Sequence, residues 1–281
     1  SAWSARCKDP YKPMTCENPL QYPKKDKMML TGQIPRYGWT DITYLLHEQH
    51  VKWRYYVGEG TPVDCGDGKY VCNPDRIDPR AESDATPAIW SPLPYFTTVQ
   101  QARQVDNVQR QSRFFSDLKN GKLAQVVWIA PDRVHSDHAP ESTLDQGQAW
   151  VTRVVNAISR SKFWESTAII VTWDDWGGFY DHVMPPKADG MGFGIRVPAF
   201  LISPYAKRGF IDKQVMSFDS YLKFIEDVFL GGQRLDPKTM SRPDPRHTVR
   251  EDIPWLGDLI HDFDFTQEPR PPLILKKFPS R

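Results

Sequence analysis

The spacing of apolar and polar residues along the chain predicts alternating helices and strands. Ile42, Leu45 and Leu46 recur at helical spacing behind a capping residue, either Thr40 or Asp41. The stretch VKWRYYV that follows has the composition of a strand. A helix that leads directly into a strand is the first indication of a mixed α/β chain.

The middle of the chain repeats this alternation. SRFFSDLKNG predicts a short helix that stops at Gly121, and the apolar run that follows Gln125 predicts a buried strand around residues 125–130. STLDQGQAWVTRVVNAISRSKFW predicts a longer helix, because five apolar residues line one of its faces. These five are Ala149, Val151, Val154, Val155 and Ile158.

Two more strands and a helix complete the pattern. STAIIVTWDD and RVPAFLISPYAK predict buried strands, and SFDSYLKFIEDVFLGG predicts a helix that ends at Gly231. Strands and helices in this order form a central, mostly parallel sheet between helices. We therefore expect an α/β fold in which residues 1–281 make a single domain. The Pro-rich stretch FDFTQEPRPPLILKKFPSR is expected to run extended over the surface.

Composition and charge then narrow the class of protein. Apolar residues make up 40% of the chain and charged residues 25%, which is typical of a globular protein. The net charge is only +1, so no basic excess indicates nucleic acid as a partner. No apolar run approaches the ~20 residues that a transmembrane helix needs.

Four cysteines occur as two close pairs. Cys7 and Cys16 bracket KDPYKPMT. Cys65 and Cys72 bracket GDGKYV within residues 58–94, a stretch rich in Pro, Asp and Gly that predicts a long surface excursion. Two local disulfides are the favoured interpretation, and they indicate an oxidising compartment, either periplasmic or secreted. A zinc site is the alternative, although neither spacing is C-x2-C.

Two adjacent carboxylates, Asp174 and Asp175, follow the predicted strand STAIIVTW. In an α/β sheet, functional groups collect beyond the carboxyl ends of strands. Gly177 and Gly178 permit a turn that brings both carboxylates toward one divalent cation, which would relieve their repulsion. In the alternative interpretation, one aspartate caps the next turn and the other is solvated. A glycosidase is disfavoured, because its paired carboxyl groups must lie at least ~5 Å apart across a sugar.

Longer motifs around these residues identify a family. TWDDWGGFYDHVMPP closely resembles the signature of the bacterial phosphoesterase family that holds non-haemolytic-type phospholipases C and acid phosphatases. WIAPDRVHSDHAP resembles its upstream motif, and RVPAFLISPYAKRGFID, SYLKFIEDVF and DFDFTQEPRPPLIL resemble its downstream motifs. The match runs from about Gly38 onward. It implies an alkaline-phosphatase-like fold and a metal-assisted attack on phosphorus by a hydroxyl nucleophile, through a phosphoenzyme. The implied substrates are phosphate esters or phospholipids.

The resemblance also implies roles for individual residues. Asp174 and Asp175 match the family's metal-binding pair, for a divalent ion whose identity the sequence leaves open. His138 in SDHAP matches a histidine that contacts the phosphoryl group or the leaving oxygen. Such an imidazole can protonate a leaving alkoxide. The alternative for His138 is a loop histidine bonded to Asp137.

Three further residues are candidates for binding substrate or supporting the site. His182, acting through Asp181, and His135 are the histidines that remain near the motifs. For His182 a structural role is the alternative. Trp173 and Trp176 are interpreted as packing residues rather than as a platform for substrate.

Part of the family's active site has no visible counterpart in this sequence. The Asn-containing metal motif and the Ser or Thr nucleophile are absent, and Glu17 and Asn18 in CENPLQYP lack the surrounding context. We therefore expect this chain to be the carboxy-terminal portion of the domain, with the nucleophile on an amino-terminal companion segment. Ser136 and Ser203 are the alternatives within the chain. The alternative to an enzyme is a non-catalytic secreted module on the same scaffold.

Overall fold

A computed structural model of the protein describes residues 40–58, 90–93, 96–138, 142–236 and 248–276. Contacts within the chain divide it into two compact units. Unit 1 comprises Ser1–Trp150 and Leu235–Arg246, and unit 2 comprises Val151–Arg234 and His247–Arg281. The expectation of one domain over residues 1–281 stays a prediction. The four cysteines and most of the 58–94 excursion lie outside the described residues, so both disulfides stay predictions as well.

Unit 1 is built on a parallel three-stranded sheet. Its central strand is β1 (Trp53–Val57), which lies between β2 (Val108–Arg110) and β3 (Val126–Ala130). This sheet confirms the predicted α/β class. The strands β1 and β3 lie where the sequence predicts them, whereas β2 has only three residues and gave no recognisable pattern.

The three strands of unit 1 end together at one edge of the sheet. Val57 is paired with Arg110 on one side and with Ala130 on the other. The amide of Gly58 continues the ladder by donating to the carbonyl of Ala130 at 3.0 Å. We call this edge the carboxyl edge, and it is the place where parallel sheets usually carry functional groups.

Four helices are described in unit 1 or begin there. They are α1 (Ile42–Glu48), α2 (Thr97–Gln101), α3 (Gln111–Lys119) and α4 (Leu144–Ser159), and α4 continues into unit 2. Asp41 caps α1 by accepting from the amide of Thr43 at 2.8 Å, which confirms one of the two predicted caps. Gly121 follows α3 with φ +67°, as expected for a helix stop.

The core of unit 1 lies between the sheet and these helices. Tyr56 of β1 is fully buried and packs edge-on against Phe114 of α3, with ring centroids 5.5 Å apart. Its hydroxyl donates to Asp117 Oδ2 at 2.8 Å, so the phenol is satisfied within the core. Burial and this carboxylate raise the pKa of Tyr56 well above its usual range. The other fully or almost fully buried apolar side chains here include Leu45, Leu46, Trp53, Val57 and Val108.

Unit 2 contains a strand pair and a capped helix. β4 (Ile169–Thr172) and β5 (Ala199–Ile202) are the predicted strands, and they pair antiparallel. They were expected to be buried, but the residues of β4 are half-buried and Ala199 and Phe200 are exposed. An apolar run cannot distinguish a strand covered on two faces from one covered on a single face.

The helix α5 (Phe218–Phe229) starts at a capping box. Ser217 accepts from the amide of Asp219 at 3.1 Å, while Ser220 Oγ accepts from the amide of Ser217 at 3.3 Å. The helix ends as predicted before Gly231, whose φ of +60° is left-handed. No helix in the described part of the chain is long and apolar enough to span a bilayer.

The C-terminal stretch lies along unit 2 without forming a helix or strand over residues 268–276. Trp164 Nε1 donates to the carbonyl of Arg270 at 2.8 Å. Asn156 brackets Leu275, because its side chain both donates to the carbonyl (2.9 Å) and accepts from the amide (2.8 Å) of that residue. These contacts hold an extended segment in place through its backbone, as predicted for this Pro-rich sequence.

Candidate functional site

Asp174 and Asp175 follow β4 directly, and both are exposed. Asp175 Oδ1 accepts from the amide of Gly177 at 2.7 Å. Gly177 and Gly178 have φ of +61° and +79°, so the glycines make the turn that the sequence predicts. One aspartate therefore caps the turn and its neighbour faces solvent, which is the arrangement of the capping alternative. The role of Asp174 and Asp175 as metal ligands stays a prediction.

The fit of a metal ion can be tested on these donors. Among the described residues, no group of three or more His, Cys, Asp or Glu side chains comes together as metal ligands. Hard divalent cations take six or more oxygen ligands, and water or phosphate commonly supplies several of them. The aspartate pair thus fits part of such a ligand set, and the remainder must come from water, substrate or other residues.

The loop between β4 and β5 is fixed by Asp181, one of the predicted site residues. Arg196 approaches it in a fork, with Nε 2.7 Å from Oδ2 and Nη2 2.9 Å from Oδ1. The amide of Val183 donates to Oδ1 at 3.1 Å. The hydrogen bonds from Arg196 hold the pKa of Asp181 well below its usual range. Asp181 therefore remains ionised and joins the middle of the loop to Arg196, near the start of β5.

His182 does not share in this fork. Its Nδ1 lies 4.0 Å from Asp181 Oδ1, which is too far for a hydrogen bond, and 82% of its side chain is exposed. The proposed action of His182 through Asp181 has no hydrogen bond to support it in this conformation. Its role in binding substrate stays a prediction.

A second arginine fork holds the same loop at Asp189. Arg250 donates from Nε to Oδ2 at 2.9 Å and from Nη2 to Oδ1 at 2.7 Å, and it also donates to the carbonyl of Gly192 at 2.8 Å. Its guanidinium lies 4.4 Å from the ring centroid of Phe193. The hydrogen bonds from Arg250 lower the pKa of Asp189. Neither fork was predicted from the sequence, because the paired residues are 15 and 61 positions apart.

In unit 1, Ser136, Asp137 and His138 of the SDHAP motif follow β3 in a loop held by two serine hydroxyls. Ser142 Oγ donates to the carbonyl of Val134 at 2.7 Å and accepts from the amide of Asp137 at 3.0 Å. Ser136 Oγ accepts from the amide of His138 at 3.2 Å. The loop that presents His138 is thus fixed through its backbone at several points.

The carboxylate of Asp137, a residue of this loop, packs against Gly147. Asp137 has φ +65°, a left-handed conformation that aspartate tolerates better than most residues. A Cβ atom at Gly147, in the first turn of α4, would overlap the Asp137 carboxylate. The ring of His138 lies 6.4 Å from that of Trp90, centroid to centroid. The structure therefore places the predicted His138 in a loop that follows β3 and is held by hydrogen bonds to its backbone.

His135 lies three residues earlier and is bonded to Asp132. Its Nδ1 is 2.6 Å from Asp132 Oδ1, and its amide donates to the same oxygen at 3.1 Å. Gln111 Nε2 donates to Asp132 Oδ2 at 2.7 Å, and Trp150 Nε1 donates to Gln111 Oε1 at 3.0 Å. Sequence reasoning missed Asp132, Gln111 and Trp150. An aspartate three residues before a histidine at a turn was the available signal for Asp132.

Neither serine considered as a nucleophile is well placed for attack. Ser136 Oγ donates to the carbonyl of Arg133 at 2.9 Å, in addition to its contact with His138. Ser203 is buried, with 5% of its surface exposed, and its Oγ accepts from the amide of Tyr205 at 3.3 Å. Both hydroxyls are occupied in stabilising turns.

The predicted site residues are thus distributed over both units: His135 and His138 lie in unit 1, and Asp174, Asp175, Asp181 and His182 lie in unit 2. Two histidines beyond β3 and paired aspartates beyond β4, on separate sheets, are the residues that the motifs imply. The model of the Phosphoesterase family matches residues 23–230, which is most of the chain. The chain therefore belongs to the phosphoesterase family.

Several curated proteins are similar to this chain. The non-hemolytic phospholipase C of Burkholderia pseudomallei is 29% identical over 85% of the chain, and the match covers 37% of that protein. The hemolytic phospholipase C of Pseudomonas aeruginosa is 29% identical over 76% of the chain and 28% of its own length. Phospholipase C B of Mycobacterium tuberculosis is 28% identical over 56% of the chain and 33% of its own length. The matches thus cover between 28% and 37% of these three relatives' own length.

Proposed function

We propose that the protein is a metal-dependent phosphoric ester hydrolase of the phospholipase C or acid phosphatase type. The observation that carries this proposal is the exposed pair Asp174 and Asp175, placed just beyond β4 inside the segment that the phosphoesterase model matches. The relatives named as phospholipases C support a phospholipid or a smaller phosphate ester as substrate. We further propose a periplasmic or secreted location, supported by the two cysteine pairs.

The chain's own residues would divide the chemistry between them. Asp174 and Asp175 would hold the divalent ion, which when bound supplies positive charge against the phosphoryl oxygens. His138 would donate a hydrogen bond to the phosphoryl group or a proton to the leaving oxygen. The forks at Asp181 and Asp189 would keep the loop that follows the aspartates in one conformation.

The nucleophile belongs to the same proposal. A hydroxyl from an amino-terminal companion segment would attack phosphorus, because the hydroxyls of Ser136 and Ser203 are engaged in turns. The relatives are longer than the matched region, which is compatible with a site completed by further residues. This chain would then supply the metal pair from unit 2 and the histidine from unit 1.

Metal content and hydrolysis test this proposal together. Asp174→Asn and Asp175→Asn are compared with Glu165→Gln, which removes one charge from an exposed position of the same unit. The wild-type 281-residue chain and the control should retain a divalent ion after dialysis, measured by elemental analysis, and both aspartate variants should lose it. In the natural polypeptide that carries this sequence, the aspartate variants should also lose hydrolysis of 4-nitrophenyl phosphate and phosphatidylcholine vesicles.

Each outcome separates the alternatives. Hydrolysis of only the vesicles indicates a phospholipase, and hydrolysis of only the small ester indicates a phosphatase. Wild-type metal content in both aspartate variants contradicts the metal site. If the natural polypeptide hydrolyses neither substrate with metal present, the proposed activity is wrong and a non-catalytic module on the same scaffold becomes the better description.

A further inference from the structure

The hydrogen-bonded group around His135 has no role in the function proposed so far. Four residues from three elements of unit 1 meet there: Asp132 and His135 in the loop after β3, Gln111 at the start of α3, and Trp150 in α4. Asp132 also caps the short 3₁₀ turn that contains His135. A cap needs only one carboxylate oxygen and one amide. The contacts of His135 Nδ1 and Gln111 Nε2 with Asp132, and of Trp150 Nε1 with Gln111, therefore require another explanation.

Those contacts fix the orientation of the His135 imidazole. Both oxygens of Asp132 are engaged, Oδ1 by His135 and Oδ2 by Gln111. Gln111 cannot flip its amide without losing both this bond and the one from Trp150. The carboxylate is therefore held in one position, with 14% of its side chain exposed, while 38% of the His135 side chain is exposed.

The geometry also selects a tautomer. A carboxylate can only accept, so the Nδ1 of His135 carries the proton in that bond. Nε2 is then the ring nitrogen directed away from Asp132, and in the imidazolium it becomes a charged donor. Charge-assisted hydrogen bonds of this kind are the strong ones for phosphate oxygens. The loop leaves β3 at the carboxyl edge, where ligands of parallel sheets bind.

We propose that His135 is a second phosphate-binding histidine, which donates from Nε2 to a phosphoryl oxygen of the substrate. Asp132 and Gln111 are positioning residues that hold its ring, and Trp150 holds Gln111. This role rests on the proposed phosphoester function, in which His138 makes a contact of the same kind. No covalent step is involved, since the proton on Nε2 comes from solvent and stays on the imidazolium while phosphate is bound.

The test is nuclear magnetic resonance of the ¹⁵N-histidine-labelled full chain, which reports each ring nitrogen without needing turnover. In the wild type, His135 should be the Nδ1–H tautomer. Inorganic phosphate, added at constant ionic strength against a chloride control, should shift its Nε2 resonance saturably. His47 and His50, at the end of α1, should not respond. An Nε2–H tautomer in the neutral wild-type chain overturns the proposal.

Two variants separate the positioning of the His135 ring by Asp132 from the general effect of removing a negative charge. Asp132→Asn keeps an oxygen for the turn cap but removes the charge, and we expect phosphate to bind about tenfold more weakly, as for a lost charge-assisted bond. Asp145→Asn, which removes an exposed charge from the same unit, should leave phosphate affinity unchanged. Equal affinity in the wild type and Asp132→Asn contradicts the positioning role. If Asp132→Asn does not fold, the wild-type tautomer and the phosphate affinity of His135→Gln decide the matter.

The same titration distinguishes this inference from the function on which it rests. If His138 responds to phosphate and His135 does not, the role of His135 is wrong and the proposed function stands. If neither histidine responds, the phosphoryl contacts of both proposals are wrong. If His135 responds with its affinity dependent on Asp132, the inference is supported.

Discussion

At the scale of single residues, Asp262 is a carboxyl group whose environment disfavours its charge. It is 8% exposed, and Asp212 is a neighbouring carboxyl group. Burial first and the neighbouring Asp212 second raise its pKa to about 6, while Lys207 and His261 act in the opposite direction. Asp262 therefore takes up a proton at mildly acidic pH.

The raised pKa of Asp262 makes the stability of the fold depend on pH in a defined window. A carboxyl whose pKa is raised on folding binds more protons in the folded than in the unfolded state between about pH 4 and 6, so stability falls as pH rises through that window. Asp262→Asn should remove this dependence and stabilise the protein at pH 7 by about 1–2 kcal/mol, a value reduced for solvent screening. Urea unfolding at pH 4, 5, 6 and 7 measures both effects.

Asp264→Asn is the matched control for this prediction. The pKa of Asp264 is lowered, because its carboxylate accepts from the side chain and the amide of Thr266. Its replacement should therefore bring no gain in stability at pH 7. A stability difference between the wild type and Asp262→Asn that does not change between pH 4 and 6 would contradict the raised pKa of Asp262.

At the scale of elements, the loop between β4 and β5 depends on its arginine forks. Asp189 keeps 4% of its side chain exposed and Arg250 keeps 12%, so this pair is largely withdrawn from water. Arg250→Met should leave a buried carboxylate without its fork and cost about 3 kcal/mol, at the low end for breaking a buried ion pair. Urea unfolding measures the loss, and limited proteolysis should show cleavage within residues 173–198.

Two variants separate the geometry of this fork from its charge. Arg250→Lys keeps the charge but cannot donate two parallel hydrogen bonds, so we expect it to recover less than half of the lost stability. Arg196→Met breaks the exposed fork at Asp181, where 63% of the Arg196 side chain faces solvent, and should cost less. Full recovery in the lysine variant would show that charge alone holds the loop.

The elements also show what the sequence could predict. β1, β3, β4, β5 and the helices α1, α3, α4 and α5 follow from local signals: apolar periodicity, a cap at Asp41 and stops at Gly121 and Gly231. Burial of β4 and β5 was wrong, because it depends on what covers each face. The forks and the group around His135 were missed, because they join residues that no local pattern connects.

At the scale of the whole molecule, the family follows from long motifs, whereas the assembly of its site does not. The SDHAP loop and the paired aspartates were recognisable because their neighbours in sequence repeat a known signature. The capping by Asp175 and the turns occupied by Ser136 and Ser203 appear only in three dimensions. Because the hydroxyls of Ser136 and Ser203 are engaged in turns, neither is well placed to be the nucleophile.

The last prediction is that the 281-residue chain does not form a phosphoenzyme by itself. With metal added, a single species verified by intact mass should give no burst with 4-nitrophenyl phosphate and no phosphate adduct after acid quenching. The physical reason is that Ser136 is bound to the carbonyl of Arg133, and Ser203 is buried against Tyr205. An activated nucleophile needs a base within hydrogen-bond reach, and the hydrogen bonds found for these two hydroxyls are to backbone groups instead. A burst that is lost in Ser136→Ala or Ser203→Ala, while the other variant keeps it and both fold, would place the nucleophile within this chain.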